Sequence, residues 1–354
     1  MAVSAARAAT ATQTRGEWLW ADGGGIDRQE HTSGPGEDGR DRLRGKVRAP
    51  KAGDVADRAL PGDSPRVIPV RRARLEIVVA ALLFSTGGAA IKATTLSGFE
   101  VAGLRSAIAV LALLAFVPAA RRGYTLRAAA VGLAFAGSLV LFVSANKLTT
   151  SAASIFLQST APLYVLVLGP WLLRERASRS DLVLMVPVAA GLLLVFAGTG
   201  AAVRTAPDPL RGNVLALLSG VTWAFAIMGL RWMSDHPRSS PMAAAVLGNA
   251  FAAILCLPFL RSLALVPAGD WVVLSYLGVF QVALAYFFLT GGVRSLPALE
   301  AALLLLVEPA LNPVWAWIAH GERPSALALS GGALILGATA VKAWVDARVP
   351  RAAA

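Results

Sequence analysis

"SANKLTTSAASIFLQSTAPLYVLVLGPWLLRER" (residues 144–176) and "TGGVRSLPALEAALLLLVEPALNPVWAWIAHGER" (residues 290–323) decide the fold when they are laid over each other. Lys147 falls on Arg294, Pro162 on Pro309, Glu175 on Glu322 and Arg176 on Arg323, all at one offset. One such match is cheap; four in register mark an internal repeat. A second correspondence joins "LLFSTGGAAIK" (82–92) to "GVTWAFAIMGLR" (220–231).

Both stretches are apolar enough to cross a bilayer, and so is most of the chain. Of 354 residues, 56% are hydrophobic and only 15% charged, which excludes an ordinary soluble domain. Runs of about 20 apolar residues suffice as transmembrane helices. Ten such runs are expected, near 75–93, 98–119, 127–147, 151–173, 181–200, 211–232, 241–260, 271–291, 296–319 and 325–345. The predicted fold is an all-α polytopic membrane protein of ten transmembrane helices. Residues 1–70 have no apolar periodicity and are rich in Gly, Pro and charge, so a disordered tail is expected; an untranslated extension, with the start near Val67 or Val70, is the alternative. Residues 71–208 then form the first repeat and 209–354 the second. With five spans in each, the second must start from the opposite face. The expectation is two inverted five-helix repeats, a plan of secondary transporters whose substrate site lies where the halves meet.

The loop charges orient the chain. "RRAR" (71–74), "RRGYTLR" (121–127) and "RERASR" (174–179) share one side, which should be cytoplasmic, with both termini on it. The net charge of +12 therefore reads as orientation, and no nucleic-acid partner is expected. A lone cysteine, Cys256, leaves no disulfide or Cys-rich metal framework. There is no phosphate loop, nucleophile elbow or clustered His, so neither cofactor, metal nor enzyme activity is expected.

At this point the chain resembles the drug/metabolite transporter superfamily, as a protein with two EamA-type domains. The resemblance rests on "AASIFLQSTAPLYVLVLGPWLLRER" and "ALEAALLLLVEPALNPVWAWIAHGER", each with an Ala-rich start, a mid-helix proline and a terminal Glu, and on "LRSAIAVLALL" with its Arg105. It covers roughly residues 75–345. It implies a bacterial cytoplasmic membrane location and favours export of small metabolites such as amino acid- or drug-like solutes. The chain departs from the pattern in its tail and in having Ala161 where the second copy has Glu308.

Ionisable groups at bilayer depth cost about 2.5 to 3.5 kcal/mol on insertion scales and tend to mark a pathway. Glu308, Asn312 and Trp315 share one helix face, beside carbonyls freed by Pro309 and Pro313. Glu308 is the candidate for binding a proton or a cationic group, with interhelical packing as the alternative. Arg105 is the candidate for an anionic group, paired with Glu308 or sharing a ligand with it, or else snorkelling outward. Gln158, four residues before Pro162, is placed opposite Glu308 as an orienting group. Trp223 and Trp315 are read as apolar walls, with Gln281 and Tyr286 as further lining. Glu175 and Glu322 end equivalent spans at opposite surfaces, and with Pro162 and Pro309 are read as structural marks of the repeat. The partners expected are a small-molecule substrate, the lipid bilayer and protons, with a homodimer open. The function expected is alternating-access export; a passive channel and a structural or sensory membrane protein are the alternatives.

Overall fold

The computed structural model describes residues 69–172, 179–233, 238–260, 263–293, 295–296 and 298–348. The expected tail, except Pro69 and Val70, lies outside them, as do Glu175, Arg176 and Arg294. Among the described residues every regular element is helical. The first half comprises α1 (Val70–Ser85), α2 (Gly87–Ala93), α3 (Gly98–Phe116), α4 (Leu126–Leu148), α5 (Ser151–Gln158), α6 (Ala161–Leu172) and α7 (Arg179–Ala197). The second comprises α8 (Pro209–Met233), α9 (Pro241–Cys256), α10 (Ala268–Ser275), a π-helical turn (Tyr276–Leu284), α11 (Ala285–Val293), α12 (Ala298–Leu305), α13 (Val307–His320) and α14 (Ala326–Arg348).

Among the described residues seven helices are long and apolar enough to span a membrane: Val70–Ala93, Gly98–Phe116, Leu126–Leu148, Ser151–Leu172, Pro209–Met233, Pro241–Phe259 and Ala268–Gly292. The other three expected spans coincide with the shorter apolar helices Met185–Ala197 and Ala326–Lys342 and with the α12–α13 pair. Local signals explain several starts. Ser97 and Glu100 form a reciprocal capping box on α3, and Thr125, Thr150 and Ser240 cap α4, α5 and α9 through their hydroxyls.

The first and second halves share one irregularity. α5 ends at Gln158 and α6 starts at Ala161; α12 ends at Leu305 and α13 starts at Val307. Pro162 and Pro309 stand in the first turn of the second segment, where a missing N–H breaks no intrahelical bond. Neither can donate to the carbonyl four residues back, on Gln158 or Leu305, so the first segment stops there. The repeat read from the sequence is thus also a repeat of broken helices.

Packing follows the same exchange of halves. α3 packs on α9 and α7 on α14; α4 on α8 corresponds to α11 on α1, and α5 and α6 on α8 correspond to α13 and α12 on α1. Most large interfaces therefore join one half to the other. Polarity is distributed opposite to a soluble protein: Leu126 and Trp171 are 88% and 86% exposed, whereas Arg105 and Glu308 are 2% and 3% exposed. A lipid-covered surface makes this distribution reasonable, because apolar side chains gain nothing by leaving hydrocarbon.

Candidate functional site

Two buried ionisable side chains, Arg105 on α3 and Glu308 on α13, each lie within electrostatic reach of Tyr286. Arg105, in mid-α3, donates from Nη1 to Gln281 Oε1 at 3.3 Å. Gln281 belongs to the π-helical turn, a deformation that widens the backbone and recurs at functional sites. Tyr286, at the start of α11, lies within electrostatic reach of both Arg105 and Glu308 and meets Phe84 edge-on at 5.5 Å. Glu308 occupies the first turn of α13, immediately after the break, and Asn312 follows one turn later.

Three polar atoms in this group are buried without any hydrogen-bond partner: Arg105 Nε, Glu308 Oε2 and Asn312 Oδ1. The expected Arg105–Glu308 ion pair is not formed; Gln281 takes one arm of the guanidinium instead. Buried polar atoms are nearly always satisfied, so each of these orphans points to a ligand or water that completes it.

Gly88 explains how Asn312 reaches further. A Cβ at Gly88 would lie 2.5 Å from Asn312 Oδ1 and 3.0 Å from Ser151 Oγ, so only glycine lets α2 approach both. Ser151 Oγ in turn donates to Asn146 Oδ1 at 3.1 Å. Trp315 donates its indole N–H to Ser85 Oγ at 2.9 Å, beside the break between α1 and α2. It also lines a shallow, open apolar depression with Thr86, Ala89, Ala90 and His320.

Gln158 and Trp223 sit in a different environment. The Gln158 amide donates to Ser219 Oγ at 2.7 Å and Ser138 Oγ at 3.2 Å, joining α5 to α8 and α4, while its Oε1 has no partner. Trp223 meets Phe135 edge-on at 5.2 Å in a buried apolar cluster with Ala161. The two are engaged in packing rather than gathered with Arg105 and Glu308.

Glu322 follows α13 at a left-handed turn, where Gly321 has φ 66°. Its Oε1 accepts from the Ser151 backbone N–H at 2.7 Å, and its Oε2 lies 3.8 Å from Lys92 Nζ. Burial raises the Glu322 carboxyl above its ordinary range, against the opposing pull of Lys92 and the Ser151 N–H. Sequence reasoning gave Lys92 no role in the site and used Lys147 as a mark of the repeat. The structure turns both inward: Lys92 donates to Thr149 O at 2.7 Å and to Thr205 O, and Lys147 donates to Thr94 O at 2.7 Å. Asp270, also missed, accepts from Thr95 Oγ1 at 2.6 Å. The signal available was an ionisable residue at the end of an apolar run, facing a loop rich in Thr and Ser. Among the described residues no group of three His, Cys, Asp or Glu is arranged to hold a metal ion.

Fold and site together define a polytopic helical membrane protein with an unsatisfied polar centre. The model of the EamA-like transporter family matches residues 72–197 and 210–343. The chain belongs to that family, with one copy of the domain in each half. Relatives in Bacillus subtilis agree in class. The "Uncharacterized transporter YxxF" is 22% identical over 71% of this chain and 82% of its own length. The "Uncharacterized transporter YetK" is 27% identical over 46% of this chain, and the match spans 50% of that relative. A solved crystal structure, 21% identical, superposes with a TM-score of 0.54 over 79% of this chain and all of its own, a likeness of fold.

Proposed function

We propose that this transporter is a secondary carrier of ten transmembrane helices in two inverted five-helix repeats, exporting small metabolites across the bacterial cytoplasmic membrane by alternating access. The observation that carries the reading is the trio of buried, unpartnered atoms Arg105 Nε, Glu308 Oε2 and Asn312 Oδ1. A guanidinium N–H and a carboxylate oxygen left open on two sides of Tyr286 suit a solute with separated anionic and cationic groups, such as an amino acid-like zwitterion. Gln281 and Tyr286 hold and screen the charges, and Trp315 supplies an apolar wall. When no solute is bound, a proton on Glu308 removes the cost of an uncompensated buried charge, which couples export to proton entry. Gln158 of the first half and Trp223 of the second are packing groups.

Five spans per repeat, an odd number, support the inverted arrangement, and the Arg-rich loops support cytoplasmic termini. The site is built within one chain, so a homodimer, if formed, is an assembly of complete carriers. The test is the metabolite content of the medium around cells expressing wild type, Glu308→Gln, or neither. A zwitterionic compound enriched only by wild type is the expected result; enrichment equal in both expressing strains would remove Glu308 from the route. Cysteines at Thr125 and Pro207 should label from opposite sides of the membrane, and labelling of both from outside would refute the orientation.

A further inference from the structure

The two ends of the bundle are tied differently. At the end carrying Ala93, Thr149 and Glu322, the ties between halves are buried and charged. Lys92 and Glu322 side chains are 5% and 3% exposed, and the pair closes on the N-terminus of α5 through the Ser151 N–H. Lys92 also gathers the carbonyls of Thr149 and Thr205, so its ammonium joins two loops of the first half to the carboxylate of the second. Asp270 adds another bond between halves, to Thr95. At the opposite end the described ties between halves include Arg74 to Glu300, with side chains 57% and 30% exposed, the half-buried hydroxyl pair Thr125–Ser239 at 2.8 Å, the Ser240 N–H to Gly123 O at 3.4 Å and Arg127 over the Trp232 ring at 4.6 Å. Exposed pairs hold weakly, whereas buried charge-assisted hydrogen bonds are short and strong.

Glu322 is placed for this contact by three independent features. Gly321 in the left-handed region turns the chain back over the end of α13, and the Glu322 N–H returns to Ala316 O at 3.4 Å. Thr150 caps α5 by accepting from Ala153 N, leaving the Ser151 N–H free for an outside acceptor. A carboxylate at a helix N-terminus is favoured by the helix dipole as well as by the hydrogen bond.

Resting on the alternating-access reading above, we propose that Glu322 and Lys92, closed on the N-terminus of α5, form a lock that joins the two halves at this end and comes apart each time the site opens there. The structure is the locked state of that end. The donor on one half is a backbone N–H fixed at the start of α5, so release comes from a turn of the Glu322 side chain or from separation of α5 and the end of α13.

The experiment measures separation without any substrate. Spin labels on cysteines at Ala202 and Arg323, exposed positions on the two halves at this end, would report distances in lipid nanodiscs in a Cys256→Ala background. Ser151→Pro removes only the critical donor from the backbone. Proline is suited to the first helical position, and Thr150 at φ −66° and ψ 146° already has the conformation required before it. Ser151→Pro and Lys92→Met should each raise the long-distance fraction about tenfold over the parent, while Ser151→Ala, which keeps the N–H, should change it less than about twofold; tenfold corresponds to about 1.4 kcal/mol. Unchanged distances in both Ser151→Pro and Lys92→Met would overturn the lock, as would an equal shift in Ser151→Ala. If Lys92→Met aggregates on size exclusion, Ser151→Pro alone decides. Export with unmoved distances sinks the lock and keeps the transport reading; moved distances without export of any solute sink transport and keep the lock.

Discussion

The α5–α6 helix and the α12–α13 helix have the same break at equivalent positions, yet they carry opposite chemistry across it. In the first half the residue after the break is Ala161, packed with Trp223, and the nearest polar side chain, Gln158, spends its amide on two serines. In the second half the equivalent position is Glu308, whose Oε2 has no partner, with Asn312 unpartnered one turn on. A broken helix by itself is therefore a scaffold, and chemistry depends on which side chain follows the proline-bearing turn. Duplication supplied the frame twice; the residue after the break, Ala161 or Glu308, distinguishes the two copies.

The strongest challenge to this comparison moves the carboxyl. Glu308→Ala combined with Ala161→Glu should export no better than Glu308→Ala alone, about a hundredfold below wild type, since a hydrogen bond to a charged group contributes up to about 3 kcal/mol. Recovery of flux in the double variant would make the halves interchangeable. Arg105→Lys keeps the charge but loses the planar fork, and initial export rates should fall about tenfold. A rate equal to wild type would show that charge alone suffices. Gln158→Leu should leave export within about twofold while costing about 1–3 kcal/mol of stability, as Ser138 and Ser219 lose their shared partner. A normal melting temperature with lost export would put Gln158 in the binding site after all. The smallest effect is expected of Trp315→Phe, which forfeits the Ser85 bond at about 1 kcal/mol and should raise the half-saturating solute concentration a few-fold.

Much of this was legible in the sequence because membrane burial imposes coarse rules. Apolar runs gave the helices, and the aligned prolines gave the repeat and, through their missing N–H groups, the two breaks. Glu308 stood out as a carboxylate in an otherwise apolar run, and Arg105 likewise. What the sequence did not reveal was pairing. Gln281 as the partner of Arg105 depends on the π-helical turn, a backbone deformation that no composition signal marks. Lys92 and Lys147 looked like loop charges because their depth along a helix says nothing of which way a flexible ammonium turns. Gln158 was placed opposite Glu308 because Pro162 frees its carbonyl, with packing between helices as the alternative; Ser138 and Ser219, supplied by two other helices, hold its amide.

The crossing of partners between halves has a consequence for how the chain is made. Gln281 follows Arg105 by 176 residues, so the ribosome needs roughly 10–35 s to supply it at 5–20 residues per second. During that interval the helix with Arg105 has emerged while its packing partner α9 and its hydrogen-bond partner have not. The first half is thus born as an incomplete assembly with a guanidinium that cannot yet be settled in its final place. Biogenesis of this protein should accordingly depend on something that shelters or delays the first half, and an insertase that holds early helices beside its own polar groove would serve.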